Sequence, residues 1–328
     1  MSASSSRVTV VIPNWNGRRH LPDCLDSLAV QNFRDFEILL VDNASSDDGL
    51  NWVEDHHPEV TVVRREINGG FAAAVNAGIC VSRGEYVALL NNDTVADPAW
   101  LGALVAALDA RRDYDFAASL MVLHRDPGRV NAAGDVYSLA RLTGKNRGYG
   151  EPIARYREPR RVLGACAGAA LYRRALFDHV GLFDEDFFLM SEDTDFSLRC
   201  LIAGRKCLYV PGAVVRHKFR ASIETAPVWE MTRLAMRNAA MVAAKDLPAA
   251  ILVFAPILWP WRLIRETLPI RPSNWHLAPM LVRQAPARLA AECEGVRIGW
   301  AKRPGVLRAR TISTFGIIRW LVLGVGKV

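Results

Sequence analysis

Gly84-Glu85-Tyr86-Val87-Ala88-Leu89-Leu90-Asn91-Asn92-Asp93-Thr94 is the stretch on which the fold turns. Tyr86 to Leu90 is an apolar run, the pattern of a strand buried on both faces of a sheet. It stops at three polar side chains in a row, Asn91, Asn92 and Asp93. Ligands of open α/β sheets sit beyond the carboxyl ends of the strands. A carboxylate flanked by amides at such an end suits a divalent cation held through oxygen and shared with phosphates. The same residues also favour a tight turn, so the neighbouring chain has to decide.

The neighbouring chain repeats the arrangement. Val8–Ile12 reads as a first strand, ending at Pro13-Asn14-Trp15-Asn16-Gly17, and a helix follows over His20–Val30. Phe36–Val41 is a second strand, stopping at the acidic and hydroxyl run that begins at Asp42. A short helix (Leu50–His56), a third strand (Val60–Val63) and a small-residue helix opened by Asn68-Gly69-Gly70 lead into Tyr86–Leu90. Strand and helix alternating through short links imply right-handed crossovers and a mostly parallel sheet flanked by helices, an α/β fold. The polar ends of strands one, two and four then share one edge. Neither G-x-G-x-x-G nor the P-loop lysine signature occurs, which argues against a dinucleotide fold and a P-loop NTPase.

Composition narrows the function classes. With 51% hydrophobic and 23% charged residues in 328, the chain is neither disordered nor a multi-span membrane protein. Six cysteines without a C-x-x-C pair predict reduced thiols in the cytoplasm, and residues 1–7 lack the apolar centre of a signal peptide. Twelve of the Lys/Arg residues, against three acids, lie from Arg262 onward, leaving a slightly acidic body. A nucleic-acid-binding core would carry its charge near its chemistry; this distribution points instead to an anionic surface met by the tail.

Further along, Trp100–Leu108 reads as a helix and Phe116–Leu123 as a strand. Arg125–Arg160, rich in Gly, Pro and Arg, reads as a surface loop or a covering flap. Leu163–Leu171 is made of small residues, either a tightly packed strand or room left beside a bound ligand. A second acidic cluster, Ser191-Glu192-Asp193-Thr194-Asp195, precedes a helical pattern over Phe196–Ala203. Ser191 suits an N-cap, and Asp195 with Arg199 suits an exposed i, i+4 ion pair. Glu192-Asp193 would project a carboxylate from a helix start, ionised at neutral pH with an ordinary pKa of about 3.9 and ready to accept a proton. A last strand, Leu208–Val215, runs towards His217. Met231–Ala244 is helical in pattern, and Leu247–Trp261 is uncharged but broken by prolines and too short to span a bilayer. Six of the nine tryptophans lie at or beyond Trp229 among arginines, which suits either an interfacial segment or a packed helical subdomain.

Five segments in order, VTVVIPNWNG, ILLVDNASSDDG, INGGFAAAVNAG, GEYVALLNNDT and FDEDFFLMSEDTDFSLR, resemble family 2 of the inverting nucleotide-sugar-dependent glycosyltransferases, in its rhamnosyltransferase-like subgroup. The likeness runs from about Val8 to about Ser222. It implies a GT-A catalytic domain over residues 1–222, bound Mg2+ or Mn2+, and a sugar moved from a nucleoside diphosphate of dTDP-rhamnose or UDP-sugar type. The implied acceptor is a hydroxyl of a cell-surface glycan or a lipid-linked molecule. By the same resemblance Pro13 and Trp15 pack under the base, Asp42 hydrogen-bonds the pyrimidine, and Asn68 and Asn76 help hold the nucleotide. Asn92 and Asp93 end the family's D-x-D-type motif, with Asp93 as metal ligand, while Asn91 stands where many members carry Asp. Asp193 of the Glu192-Asp193 pair is the implied general base, and His217 completes the metal site. Residues 223–328 form a helical, basic extension expected to rest on the inner face of the plasma membrane. The rivals are an inactive scaffold subunit of the same fold and a sugar nucleotidyltransferase, which would release pyrophosphate.

Overall fold

The computed structural model describes residues 6–218, 227–253 and 278–323. Strands β1 (Val8–Asn14), β2 (Phe36–Asp42), β3 (Thr61–Arg64) and β4 (Tyr86–Leu90) alternate with helices α1 (Leu21–Ala29), α2 (Gly49–His56) and α3 (Gly70–Val81). β1 lies parallel to both β2 and β4, and β2 parallel to β3. The pairing Asn14↔Asp42 sets the turn after β1 beside the acidic turn after β2, and Val11↔Leu89 brings the end of β4 to the same edge.

The second half of the sheet is mixed. After the short β5 (Thr94–Ala96) and α4 (Trp100–Ala110), β6 (Phe116–Leu123) pairs parallel with β12 (Cys207–His217). β11 (Ala169–Arg173) inserts antiparallel between β4 and β6, and β5 runs antiparallel to β12 with Thr94 opposite His217. Only the end of the small-residue stretch from Leu163 is strand.

The loop expected over 125–160 is ordered secondary structure. β7 (Asp126–Ala133) pairs with β6, β8 (Asp135–Ser138) and β9 (Thr143–Asn146) form a hairpin, and β10 (Arg160–Val162) pairs with β12. Pro127 and Gly128 fall in the exposed first half of β7, where a strand tolerates them, and burial begins only at Val130.

Apolar clusters cover both faces of the sheet, one with α1 and α4, the other with α3, α5 (Ala175–Val180) and α6 (Glu192–Ile202). A third joins Leu198, Leu201 and Ile202 of α6 to Met241 and Leu247 at the end of α7 (Val228–Asp246), and to Val306 and Ile317 of the helices Ala278–Arg308 and Thr314–Leu323. The C-terminal helices therefore pack on the helix that carries the second acidic cluster. The boundary drawn at 222/223 and most of the proline-broken run to Trp261 lie outside the described residues. No helix among the described residues is long and apolar enough to cross a membrane. All six cysteines are free.

Candidate active site

A cavity of about 260 Å³ opens at the ends of β1, β2 and β4. Its polar side is a chain of amides. Asn92 Nδ2 donates to Asn14 Oδ1 at 2.7 Å, and Asn14 Nδ2 donates to Ser45 Oγ at 3.3 Å. Glycine is required at 17, because a Cβ there would lie 2.1 Å from Asn14 Oδ1 and 2.2 Å from Asn92 Nδ2. Asn43 Nδ2 donates to Asn68 Oδ1 at 2.8 Å and to the Gly70 carbonyl, while Asn43 Oδ1 accepts from Arg65 and from the Gly69 N–H. Asp42 is buried beside this network; its Oδ2 accepts from Ser45 N and its Oδ1 has no hydrogen-bond partner. The other side is apolar, with Phe71, Ala74, Phe188, Leu189 and Met231. Pro13 and Trp15 also line the cavity, Trp15 with 44% of its surface exposed.

Beyond Asn92 the antiparallel register of β5 and β12 brings His217 against Asp93, Nε2 to Oδ1 at 3.2 Å. His217 Nδ1 lies 2.9 Å from the side-chain amide of buried Asn131, a contact that holds the ring with Nε2 towards Asp93. Burial works to raise the Asp93 pKa, but the hydrogen bond and charge of His217 outweigh it and hold the carboxyl below its usual range. Asn91 Oδ1 is buried without a hydrogen-bond partner. An orphaned amide oxygen, a carboxylate and an imidazole nitrogen are a donor set that a divalent cation accepts. Among the described residues no group of three His, Cys, Asp or Glu is gathered for one, so protein ligands alone would not complete its shell.

The second acidic cluster departs from expectation. Ser191 does not cap α6 through its side chain and has left-handed backbone at φ 71°, following Phe188 at 60° and Met190 at 70°. Three such non-glycine residues in four positions cost on the order of 1–3 kcal/mol each. The loop they form closes onto α3, with the Phe71 N–H donating to the Phe188 carbonyl at 2.6 Å. Gly70 (φ 83°) has no room for a Cβ, which would sit 2.1 Å from that carbonyl oxygen.

Asp193 does not have an ordinary pKa. Enclosure raises it, opposed by the N–H and hydroxyl of Thr194 and by the Ala167 backbone. Burial, with the Asp193 charge beside it, pushes Glu192 up to about 8. Asp135, on β8, is buried with neither carboxylate oxygen hydrogen-bonded, and burial next to Asp193 and Glu192 drives its pKa well above the usual range. The three carboxyls share one region, and burial raises the pKa of all three. One dipeptide joins this region to the cavity: the Asn91 N–H donates to the Gly168 carbonyl at 2.9 Å, and the preceding Ala167 backbone meets Asp193.

Two other expectations change. Asp195 does pair with Arg199, at 2.8 Å, but it is fully buried and also meets Lys245 of α7 at 2.6 Å, so the pair is not an exposed one. Asn76 is not brought to the cavity lining. Its Nδ2 donates to the Phe183 carbonyl and Glu185 Oε1, and its Oδ1 accepts from the Phe183 N–H, which uses up the amide. Sequence reasoning missed Asn14, Asn43, Asn131, Asp135 and the apolar wall. Asn14 and Asn43 stood within quoted strand-end turns and could have been found there. Asn131 and Asp135 sat in a segment read as loop, and nothing local marked them.

The glycosyl transferase family 2 model matches residues 9–181. An N-acetylglucosaminyl-diphospho-decaprenol L-rhamnosyltransferase of Mycobacterium tuberculosis is 31% identical over 237 residues, 63% of this chain and 75% of that protein. Among solved structures, GalNAc-T7 with UDP, GalNAc and Mn2+ superposes with a TM-score of 0.62 at 18% identity, over 92% of this chain and 57% of the other. The mannosyltransferase PcManGT from Pyrobaculum calidifontis, with GDP-Man and Mn2+, gives 0.54 at 18% identity over 96% and 87%. The structural likenesses carry the GT-A fold and the sequence matches carry the kinship: this chain belongs to glycosyl transferase family 2 and is a glycosyltransferase working from nucleotide-sugar donors.

Proposed function

We propose that the protein transfers a sugar, with inversion, from a nucleoside diphosphate donor of dTDP-rhamnose type to a hydroxyl of a lipid-linked or cell-surface glycan acceptor, a UDP-sugar being the second choice of donor. The observation that carries this reading is the Ala167-Gly168 dipeptide, which ties Asn91, at the metal-side end of the cavity, to Asp193. Inversion needs a leaving diphosphate and a proton acceptor on opposite sides of the anomeric carbon. The free Oδ1 of Asp42 is available to a pyrimidine N–H, and Trp15 to the face of the base. Asn68 and Asn92 line the path to the phosphates. The apolar side formed by Phe71, Leu189 and Met231 suits a deoxysugar methyl better than a hydroxymethyl. Asp93, His217 and Asn91 Oδ1 would hold Mg2+ or Mn2+ together with the donor. When bound, such an ion supplies charge neutralisation for the departing diphosphate.

Asp193 takes the proton of the acceptor hydroxyl as that oxygen bonds to the anomeric carbon and the bond to the diphosphate breaks. Glu192, pushed up to about 8, and Asp135, driven well above the usual carboxyl range, are weaker acids than a free carboxyl, and the Thr194 N–H and hydroxyl and the Ala167 backbone favour the ionised form of Asp193. The decaprenol-linked sugar in the name of the Mycobacterium tuberculosis relative supports a lipid-linked acceptor. Exposed Trp300, Leu307, Phe315 and Val322, interspersed with Arg308 and Arg319, support contact of the C-terminal helices with an anionic membrane face.

The test is a thermal-shift panel of nucleoside diphosphate sugars with and without Mn2+, followed by product analysis. The reading expects stabilisation by a pyrimidine donor, with nucleoside diphosphate released and the anomeric configuration inverted. Pyrophosphate release, or retention of configuration, would overturn it.

A further inference from the structure

Asn238 lies within α7, fully buried, in the C-terminal extension rather than in the family-matched segment. Its Nδ2 faces three backbone carbonyls of the left-handed loop: Phe187 at 2.9 Å, Leu189 at 2.9 Å and Met190 at 2.8 Å. Its Oδ1 accepts from Arg237 at 3.1 Å, which fixes the end of the amide that meets the loop. A second Arg237 nitrogen donates to the Asp186 carbonyl at 2.6 Å. The positive φ angles of Phe188, Met190 and Ser191 turn these carbonyls towards one point. Buried carbonyl oxygens that converge without a donor between them are costly, and a single amide supplies that donor.

The loop has two ends that matter. Phe188 and Leu189 line the cavity and, through the Phe188 carbonyl, hold the start of α3. Ser191 runs directly into α6 and so into Asp193. We infer that Asn238 is a positioning residue for sugar transfer: one amide from the C-terminal extension sets both the wall against the donor and the carboxylate that takes the acceptor proton. The inference rests on the proposed role of Asp193. It gives the extension a part in the reaction itself, in addition to any part in membrane contact.

The test uses the full chain with Asn238→Leu, which keeps the volume and removes the donor, and Asn238→Ser, which keeps one hydroxyl. Fold is read by circular dichroism and Tm, binding with dTDP plus Mn2+, and turnover as nucleoside diphosphate released from whichever donor sugar the panel selects. In folded Asn238→Leu, kcat should fall about 10- to 100-fold, the scale of a misplacement near 1 Å. The rising limb of the pH–kcat/KM profile should also move, since the enclosure of Asp193 changes, and Asn238→Ser should fall between the variant and the parent. Turnover within twofold of the parent, with an unmoved limb, would make Asn238 a packing residue and overturn the inference. A lower kcat with weaker dTDP binding and an unmoved limb would overturn the half that concerns Asp193. If neither variant folds, Arg237→Met, which frees the amide to turn, carries the same test by the same thresholds. Asp193→Asn is measured alongside. If it stays active while Asn238→Leu is impaired, the base assignment fails and not the positioning; if it is dead while Asn238→Leu is near normal, the reverse holds.

Discussion

The two acidic centres of this molecule use the same side chain in opposite ways. Asp93 has an imidazole in reach, and His217 holds its pKa down in spite of burial. Asp135, Glu192 and Asp193 share a region where burial raises all three pKa values and neighbouring acids add to the rise for Asp135 and Glu192. A carboxylate meant to stay ionised beside a bound ion needs the first setting. A carboxylate meant to take up a proton during a reaction needs the second. Position in the fold, rather than residue type, separates the two proposed tasks.

Removing the first centre should have the largest effect. Asp93→Ala is expected to abolish turnover and Mn2+-dependent donor binding, whereas His217→Ala should weaken apparent Mn2+ affinity and recover part of its activity at high Mn2+. Calorimetric titration of Mn2+ with and without dTDP separates the two, and a wild-type rate unaffected by EDTA would break the contrast. Next comes Asp195, which belongs to neither centre. It is buried against Arg199 and Lys245, so Asp195→Asn should cost on the order of 3–5 kcal/mol of stability, as when one partner of a buried pair is removed. Chemical denaturation checks this; a loss below about 1 kcal/mol would mean the pair behaves as an exposed one.

The smallest effect, taken per pH unit, is expected on pH dependence. Glu192 is protonated in the fold to about pH 8 but ionises near its ordinary value when unfolded. Its contribution to stability is therefore complete below pH 4.5 and is lost as pH rises through about 8. Within that window the slope is roughly 1 kcal/mol per pH unit. Glu192→Gln should flatten the fall of Tm between pH 5 and 8 and leave the variant the more stable protein at the alkaline end. Parallel Tm curves for the two proteins would remove the case for a protonated Glu192.

The first centre was largely legible in the sequence because the parallel half of the fold is built from local signals. Buried strands such as Tyr86–Leu90 end abruptly in polar residues, and short links leave little freedom in their order. The meeting of Asp93 with His217 followed from the family resemblance; the register of β5 on β12 that brings it about could not be read. The second centre was legible at Glu192-Asp193 alone. Asp135 reaches it from the β8–β9 hairpin, hidden because Pro127 and Gly128 in the exposed part of β7 look like loop. Asp195 was misjudged because spacing reveals a helix pair but not what covers it, and α7 covers it. The left-handed turn at Phe188–Ser191 left no sequence signal either, since none of its strained residues is glycine or asparagine.

The proposed role of Asp193, taking the proton of the acceptor hydroxyl, is open to a direct test. Asp193→Asn keeps the size of the side chain and removes that capacity, so turnover of the selected donor and the dissociation constant for dTDP with Mn2+ should be measured on the same preparation. General-base catalysis is worth about 10²–10⁴-fold. The account predicts a loss of kcat of at least that order with dTDP affinity changed by less than about threefold, because Asp42 and Asp93 are untouched. A variant that turns over at near wild-type rate, or one that loses dTDP binding along with turnover, would contradict it.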